Sequence, residues 1–413
     1  MKDPYLRLRL GCYTSNICMA VIGNLSPILF LTFRTMYGIS YSLLGLLVLI
    51  NFSTQLLVDL IFSFFSHKFN IPKVVKFSPV LCAIGLAIYG LWPWLVPGNI
   101  YPGLVIGTVI FSASSGLCEV LISPVIAAIP AEDPDREMSK LHSIFAWGAV
   151  GMVAVSTAFL LLAGSQHWQF LALLFLAAPL TAAFLFAGVT IPKMQTPART
   201  SGALSMLKNK TLWLCVVAIF LGGAAECTMA QWCSGYLEKA LGIEKVWGDL
   251  FGVAAFAVML GLGRSLYAKC GKNLGRVLFL GAVGATVCYL VAAITTAPVA
   301  GLLACGFTGL CVSMMWPGSL VVASDRIVNG GVFIYAMMAA GGDLGASVGP
   351  QLVGVVTDAA IASPQALALA ASLGIAPEQL GMKLGMLVGM LFPLLAIGVF
   401  FYIMKTQNKK IPA

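Results

Sequence analysis

An all-α membrane protein with twelve transmembrane helices in two six-helix halves is the fold class that the sequence predicts. Three observations carry the prediction: a composition too apolar to clothe a water-facing surface, apolar segments cut to the thickness of a bilayer, and a pattern that recurs between the halves. The chain has 413 residues, 60% hydrophobic and only 9% charged, with a mean hydropathy of +0.96. A soluble domain carries about 25% charged residues, so an ordinary cytosolic protein is excluded.

A bilayer core of roughly 30 Å needs about 20 apolar residues per helix. On that ruler the segments fall near 9–33, 41–65, 74–94, 103–130, 141–163 and 168–191, then 211–237, 247–269, 275–295, 298–324, 331–357 and 382–404. The basic start MKDPYLRLRL precedes a run too long for a signal-peptide core, so it reads as an uncleaved first helix. Two connections are long. One is the basic, proline-containing 191–210 between segments six and seven, and the other is 358–381 between eleven and twelve. This predicts an N-terminal half at 1–190, a linker at 191–210 and a C-terminal half at 211–413.

The charges orient the chain. Most of the 24 Lys and Arg, including Lys68, Lys73, Arg136, Lys193 and Lys409, lie at one set of segment ends, as cytoplasmic loops require. Both termini are therefore expected in the cytoplasm, with the chain in the cell inner (plasma) membrane. The +9 formal charge comes in small clusters with no basic aromatic-interleaved stripe, which argues against nucleic acid. The eleven cysteines are scattered singly, with neither a CxxC pair nor a metal-ligand spacing, so they read as packing residues.

The halves repeat. Segment four reads GLCEVLISP (116–124) and segment ten reads GLCVSMMWP (309–317), each with proline eight residues after the glycine. Two parallel-repeat halves form the scaffold of many secondary transporters.

Four acids lie deep in apolar segments: Asp59, Glu119, Glu226 and Asp343. A charge at mid-bilayer costs about 2.5–3.5 kcal/mol on insertion scales, so each marks either a pathway or proton relay, or a polar lock between helices. Asn51, Gln55 and Asp59 recur every four residues, which puts them on one face of segment two. That face reads as lining a wet cavity, or as a ladder of interhelical hydrogen bonds. Glu119 is followed by Pro124, which can kink its helix. His142 and Trp147 lie in segment five, and Asn24 lies in segment one. Segment seven holds Glu226, Gln231, Trp232 and Tyr236, and segment ten holds Trp316. Carboxylate and amide groups beside aromatic rings suit a polyhydroxylated solute, with rings covering its C–H face, while Tyr236 reads as part of an interfacial belt.

Two motif matches are decoys. GASVG (345–349) fits G-x-S-x-G, but Gly341, Gly345 and Gly349 form a small-residue helix face that favours close packing. The sequon Asn24-Leu-Ser26 lies inside a span, and no Walker loop is present, so the sequence offers no support for ATP-driven pumping.

These residues resemble a known family, the fucose–galactose–glucose:proton symporter branch of the major facilitator superfamily. GLCEVLISPVIAAIP is similar to its Gly-x-x-x-Glu-x-x-x-Asn-Pro pattern, with Glu119 on the membrane-embedded acid and Ser123 in place of asparagine. LHSIFAWGA (141–149) resembles the family's Leu-His-x-Phe-Phe-Gly-x-Gly-Ala stretch, GLGR (261–264) its Gly-Arg, and SMMWP (313–317) its Ser-x-Met-Phe-Pro. Glu226, Trp232, Tyr236 and Leu237 match a Glu-x5-Trp-x3-Tyr-Leu pattern. The superfamily signature between segments two and three is degraded in SFFSHKFNIPK (63–73), and the familial acid of segment one is absent, which leaves Asp59 as its candidate replacement.

The resemblance implies a non-enzymatic secondary transporter, without cofactor or metal, acting as a monomer in the lipid bilayer and bringing in a small polar solute, a sugar foremost, by alternating access. A buried carboxyl favours its protonated form. Glu119, with Asp59, Glu226 and Asp343, is thus the expected proton-coupling set, sodium standing as the alternative ion. Asn24, Asn51, Gln55, His142, Trp147, Glu226, Gln231, Trp232 and Trp316 are the expected solute contacts. The rival expectation is an antiporter exporting cationic or amphiphilic drug-like compounds, whose charge would suit buried acids and aromatic rings.

Overall fold

The computed structural model describes residues 4–65, 68–130, 134–192, 207–270, 273–327 and 331–406, and the described residues are almost entirely helical. Eleven helices among them are long and apolar enough to cross a membrane, and the shorter apolar stretch Trp147–Ala163 supplies the fifth of the twelve expected spans. Leu95, Leu162, Phe184 and Val299 stand exposed on the outside. An exterior of this kind is solvated by lipid, so the chain is a multi-pass membrane protein.

The helices divide into two compact units, residues 1–32 with 50–200, and residues 33–49 with 201–413. In the first unit lie most of α1 (Leu6–Tyr37) and α2 (Tyr41–Phe65), then α3 (Ile71–Leu95), α4 (Tyr101–Ala128) and α5 (Pro134–Ala163). The sixth span is a pair, α6 (Trp168–Leu174) and α7 (Ala177–Phe186). Helices α3 and α4 touch backbone to backbone: a Cβ on Gly85 would lie 2.5 Å from the Phe111 nitrogen, so only glycine permits the approach. One end of this unit is sealed by an apolar cluster of Leu8, Cys12, Phe62, Val75, Val125 and Phe186. Ahead of the apolar stretch of α5, Glu137 accepts hydrogen bonds from Lys140 Nζ (2.6 Å) and Tyr13 Oη (3.0 Å). Arg9 Nε lies 3.6 Å away. The Lys140 bond foremost holds the Glu137 carboxyl below its usual range.

The second unit is built around α8 (Lys210–Leu241). One helical turn, Lys245–Gly248, and a π-helical turn, Asp249–Ala254, lead into α9 (Ala255–Cys270), then α10 (Leu274–Ile294). The tenth span is two pieces, α11 (Pro298–Val312) and α12 (Met315–Arg326). After them come α13 (Gly331–Ala362), a short α14 (Pro364–Leu373), and a twelfth span made of α15 (Pro377–Gly389) and α16 (Leu391–Lys405). The glycine face of α13 packs on α8 as its spacing predicts. A Cβ at Gly345 would collide with the Phe220 carbonyl oxygen, and one at Gly349 would collide with Thr228 Oγ1.

The connection expected at 358–381 is mostly helical, because α13 runs to Ala362 and α14 follows. The linker residues 193–206 lie outside the described residues. Asp249, at the start of the π-helical turn, is buried, accepting from Ser234 Oγ, with Lys245 Nζ at 3.3 Å. Tyr236 is not an interfacial residue turned to lipid: it is fully buried and donates to the Ala292 carbonyl.

Residues 33–49 join the second unit through polar contacts. Gly38, in the left-handed region (φ +66°), ends α1. Arg34 then reaches Glu378 Oε1 with Nη2 (2.9 Å) and Nε (3.1 Å), lying 4.1 Å from the Tyr41 ring centroid. Asp358 accepts from the first two N–H groups of α2, on Tyr41 (3.1 Å) and Ser42 (2.6 Å). A carboxylate at a helix N-terminus both caps it and answers its dipole, an effect of about 0.5–2 kcal/mol.

Candidate functional site

Each unit carries its own polar cluster. In the first, α2 and α4 run side by side, and the four-residue spacing of Asn51, Gln55 and Asp59 meets α4 step by step. Asn51 Oδ1 accepts from Ser112 Oγ at 2.5 Å. One turn on, a Cβ at Gly116 would lie 3.1 Å from the Gln55 Cα, so the helices close tightly there. A further turn on, carboxylate oxygens of Asp59 and Glu119 come within 4.8 Å of each other. Asn51, Gln55 and Asp59 are all buried, whereas Glu119 is exposed. The face of segment two is thus turned onto α4, and the acid of α4 is the exposed member.

Helix α4 is continuous through Pro124. Proline leaves the carbonyl four residues earlier without its helical donor, yet here the helix absorbs the loss. The other predicted residues of this unit are spread out. Asn24 Nδ2 donates to the Ala20 carbonyl of its own helix at 2.8 Å, and Trp147 is 72% exposed. The side chain of His142 lies outside the described residues. Asn16, on α1, donates to the Leu141 carbonyl at 2.6 Å and ties α1 to α5.

In the second unit Glu226 of α8 is ion-paired. Arg264 Nη2 of α9 stands 3.1 Å from Glu226 Oε1 and 3.3 Å from Oε2. Arg264 Nε donates to the Ser313 carbonyl at 3.1 Å. That carbonyl is available for a definite reason. Its helical donor would be the N–H of residue 317, which is proline, and the tenth span breaks at Ser313–Met314. Gly263 makes the approach possible, since a Cβ there would collide with Ser313 Oγ. One ion pair therefore ties α8, α9 and the break in the tenth span.

Trp316 is half-buried, its ring over Gly223 and Gly342, where added Cβ atoms would come within 2.9 and 2.5 Å of it. Gly223 is one turn before Glu226, so ring and carboxylate share a face of α8. Trp232 is fully buried, and its Nε1 donates to the Pro350 carbonyl at 2.8 Å. Gln231 and Asp343 are buried as well.

The sequence pattern of the Major Facilitator Superfamily matches residues 12–350. The chain belongs to that superfamily. Among solved structures it is similar to a bacterial homologue of the human lysosomal transporter Spinster in an inward-facing, occupied conformation, at 13% identity and a TM-score of 0.73 with 100% of both chains covered. It is also similar to the nucleoside transporter NupG, at 13% identity and a TM-score of 0.71, covering 99% of this chain and 100% of that one. An asparagine-to-alanine variant of the E. coli fucose:proton symporter FucP follows at 16% identity and a TM-score of 0.58, covering 95% and 99%. At these identities the likeness carries the fold. No curated protein matches the chain by sequence. As a superfamily member the chain is a transporter rather than an enzyme, with twelve spans of the superfamily fold. Sequence reasoning picked out Glu226 but not Arg264, which entered only as part of GLGR. The available signal was an arginine inside an apolar span, together with a proline that must free a carbonyl nearby.

Proposed function

We propose that this superfamily member is a proton-coupled importer of a small polyhydroxylated solute, a sugar by preference, of the fucose–galactose–glucose:proton symporter type. The reading places it as a monomer in the cell inner membrane, with both termini cytoplasmic. The observation that carries it is the approach of the Asp59 and Glu119 carboxylates to within 4.8 Å. Two acids at that spacing in a membrane interior hold one proton in preference to two like charges. Glu119, the exposed partner, exchanges that proton; Asp59, buried behind it, sets its position. Glu226, already facing a guanidinium, is a hydrogen-bonding group for solute, with the Trp316 ring one turn away as a surface for the C–H side of a sugar.

The test is uptake into proteoliposomes of radiolabelled D-glucose, D-galactose and L-fucose under an imposed pH gradient. At least one sugar is expected to accumulate above equilibrium only when the outside is acidic, with a proton ionophore abolishing the accumulation. Accumulation driven by a sodium gradient at equal pH, or sugar-independent efflux of lipophilic cations, contradicts the reading.

A further inference from the structure

The ion pair in the second unit is too open to be only a brace. The Arg264 side chain is 41% exposed and that of Glu226 15%, although both lie in apolar spans, where a charge costs about 2.5–3.5 kcal/mol. Arg264 commits Nε to Ser313 and Nη2 to Glu226, and among the described residues Nη1 has no hydrogen-bond partner. A fork-shaped donor is thus anchored on one edge and offered on the other.

We propose that Arg264 is the binding residue for a carboxylate on the solute, so that the polyhydroxylated solutes of this transporter include sugar acids, held more tightly than neutral sugars. The inference rests on the reading of the chain as a solute transporter, and one chemical argument and two observations carry it beyond that reading. A hydroxyl can be served by an amide at far smaller desolvation cost than a guanidinium demands, whereas the planar fork of arginine matches a carboxylate with charge-assisted bonds. The site already holds one carboxylate, that of Glu226, at 3.1–3.3 Å. The Trp316 ring, one turn from Glu226, supplies an apolar face beside the charged end, as a polyhydroxylated acid requires. Glu226 then competes with the solute for one guanidinium.

Competition gives the two partners opposite phenotypes. Binding is read as the shift in thermal unfolding midpoint of the purified full chain in detergent on titration with D-glucuronate, D-gluconate and D-glucose. The acids are expected to stabilise the wild type more than glucose does. Arg264→Gln is expected to weaken the apparent Kd of the acids about tenfold or more, the value of charge-assisted bonds. Glu226→Gln frees the guanidinium and is expected to tighten acid binding several-fold. The Arg264→Gln/Glu226→Gln double variant leaves no unpaired charge, so it is expected to unfold cooperatively and ignore the acids. Equal weakening of acids and glucose by both single substitutions is the mark of a brace and overturns the proposal, as does an absence of acid binding in the wild type. A chain that imports hexose with protons yet ignores both acids overturns the assignment of Arg264 and leaves the transport reading standing.

Discussion

GLCEVLISP in α4 and GLCVSMMWP across α11 and α12 carry proline at the same place and fold differently. Helix α4 passes through Pro124 unbroken, while the tenth span stops at Val312 and restarts at Met315, two residues before Pro317. Proline removes one N–H in both copies and so leaves one carbonyl without its helical donor. What a helix does next depends on the neighbours. In the second copy Arg264 of α9 takes the Ser313 carbonyl, and the break persists beside an ion pair. In the first copy the residue equivalent to Val312 is Glu119, and α4 spends that position on an acid beside Asp59. A duplicated pattern carries two different groups, an acid close to Asp59 in one unit and a break held by an anchored guanidinium in the other.

Removing each proline separates the two uses. Pro317→Ala returns an N–H to the Ser313 carbonyl, allowing the tenth span to close its helix and compete with Arg264 Nε for that oxygen. The expected result is a change of at least about 1 kcal/mol in unfolding free energy, the scale of one hydrogen bond, and a changed affinity for solute. Pro124→Ala acts on a helix that is already continuous and is expected to change solute affinity less than twofold. Thermal unfolding and solute titration of both variants check the contrast, and equal responses would erase it.

The smallest effect belongs to the cluster at Glu137, ahead of the apolar stretch of α5. Its carboxyl is held low by Lys140, Tyr13 and Arg9. A depressed carboxyl contributes stability that is present above its unfolded value and lost as pH falls through its folded value. Glu137→Gln is therefore expected to cost less than about 1 kcal/mol at neutral pH, and nothing once the medium is acid enough to protonate the native carboxyl. Unfolding midpoints of both proteins across pH should converge at low pH; divergence there contradicts the assignment.

The glycines of α13 were legible in the sequence because a four-residue spacing of small residues has one physical use in an apolar helix, and Gly345 and Gly349 lie against α8 accordingly. The mid-span acids were legible because their cost is visible in composition alone. Tyr236 misled because distance from a helix end fixes depth but not direction, and its ring points inward to Ala292. Arg264 was the largest omission. Its role depends on a carbonyl freed by Pro317, in a span that no local pattern connects to α9.

The most direct test of the central claim compares Glu119→Gln with Glu226→Gln in proteoliposomes holding a pH-sensitive dye. It records solute-triggered proton entry and, separately, exchange of labelled solute at equal concentrations on both sides. Glu119→Gln is predicted to abolish proton entry while exchange continues, and Glu226→Gln to keep proton entry with an altered solute affinity. Proton entry that survives Glu119→Gln and disappears with Glu226→Gln would place coupling in the second unit and contradict the account.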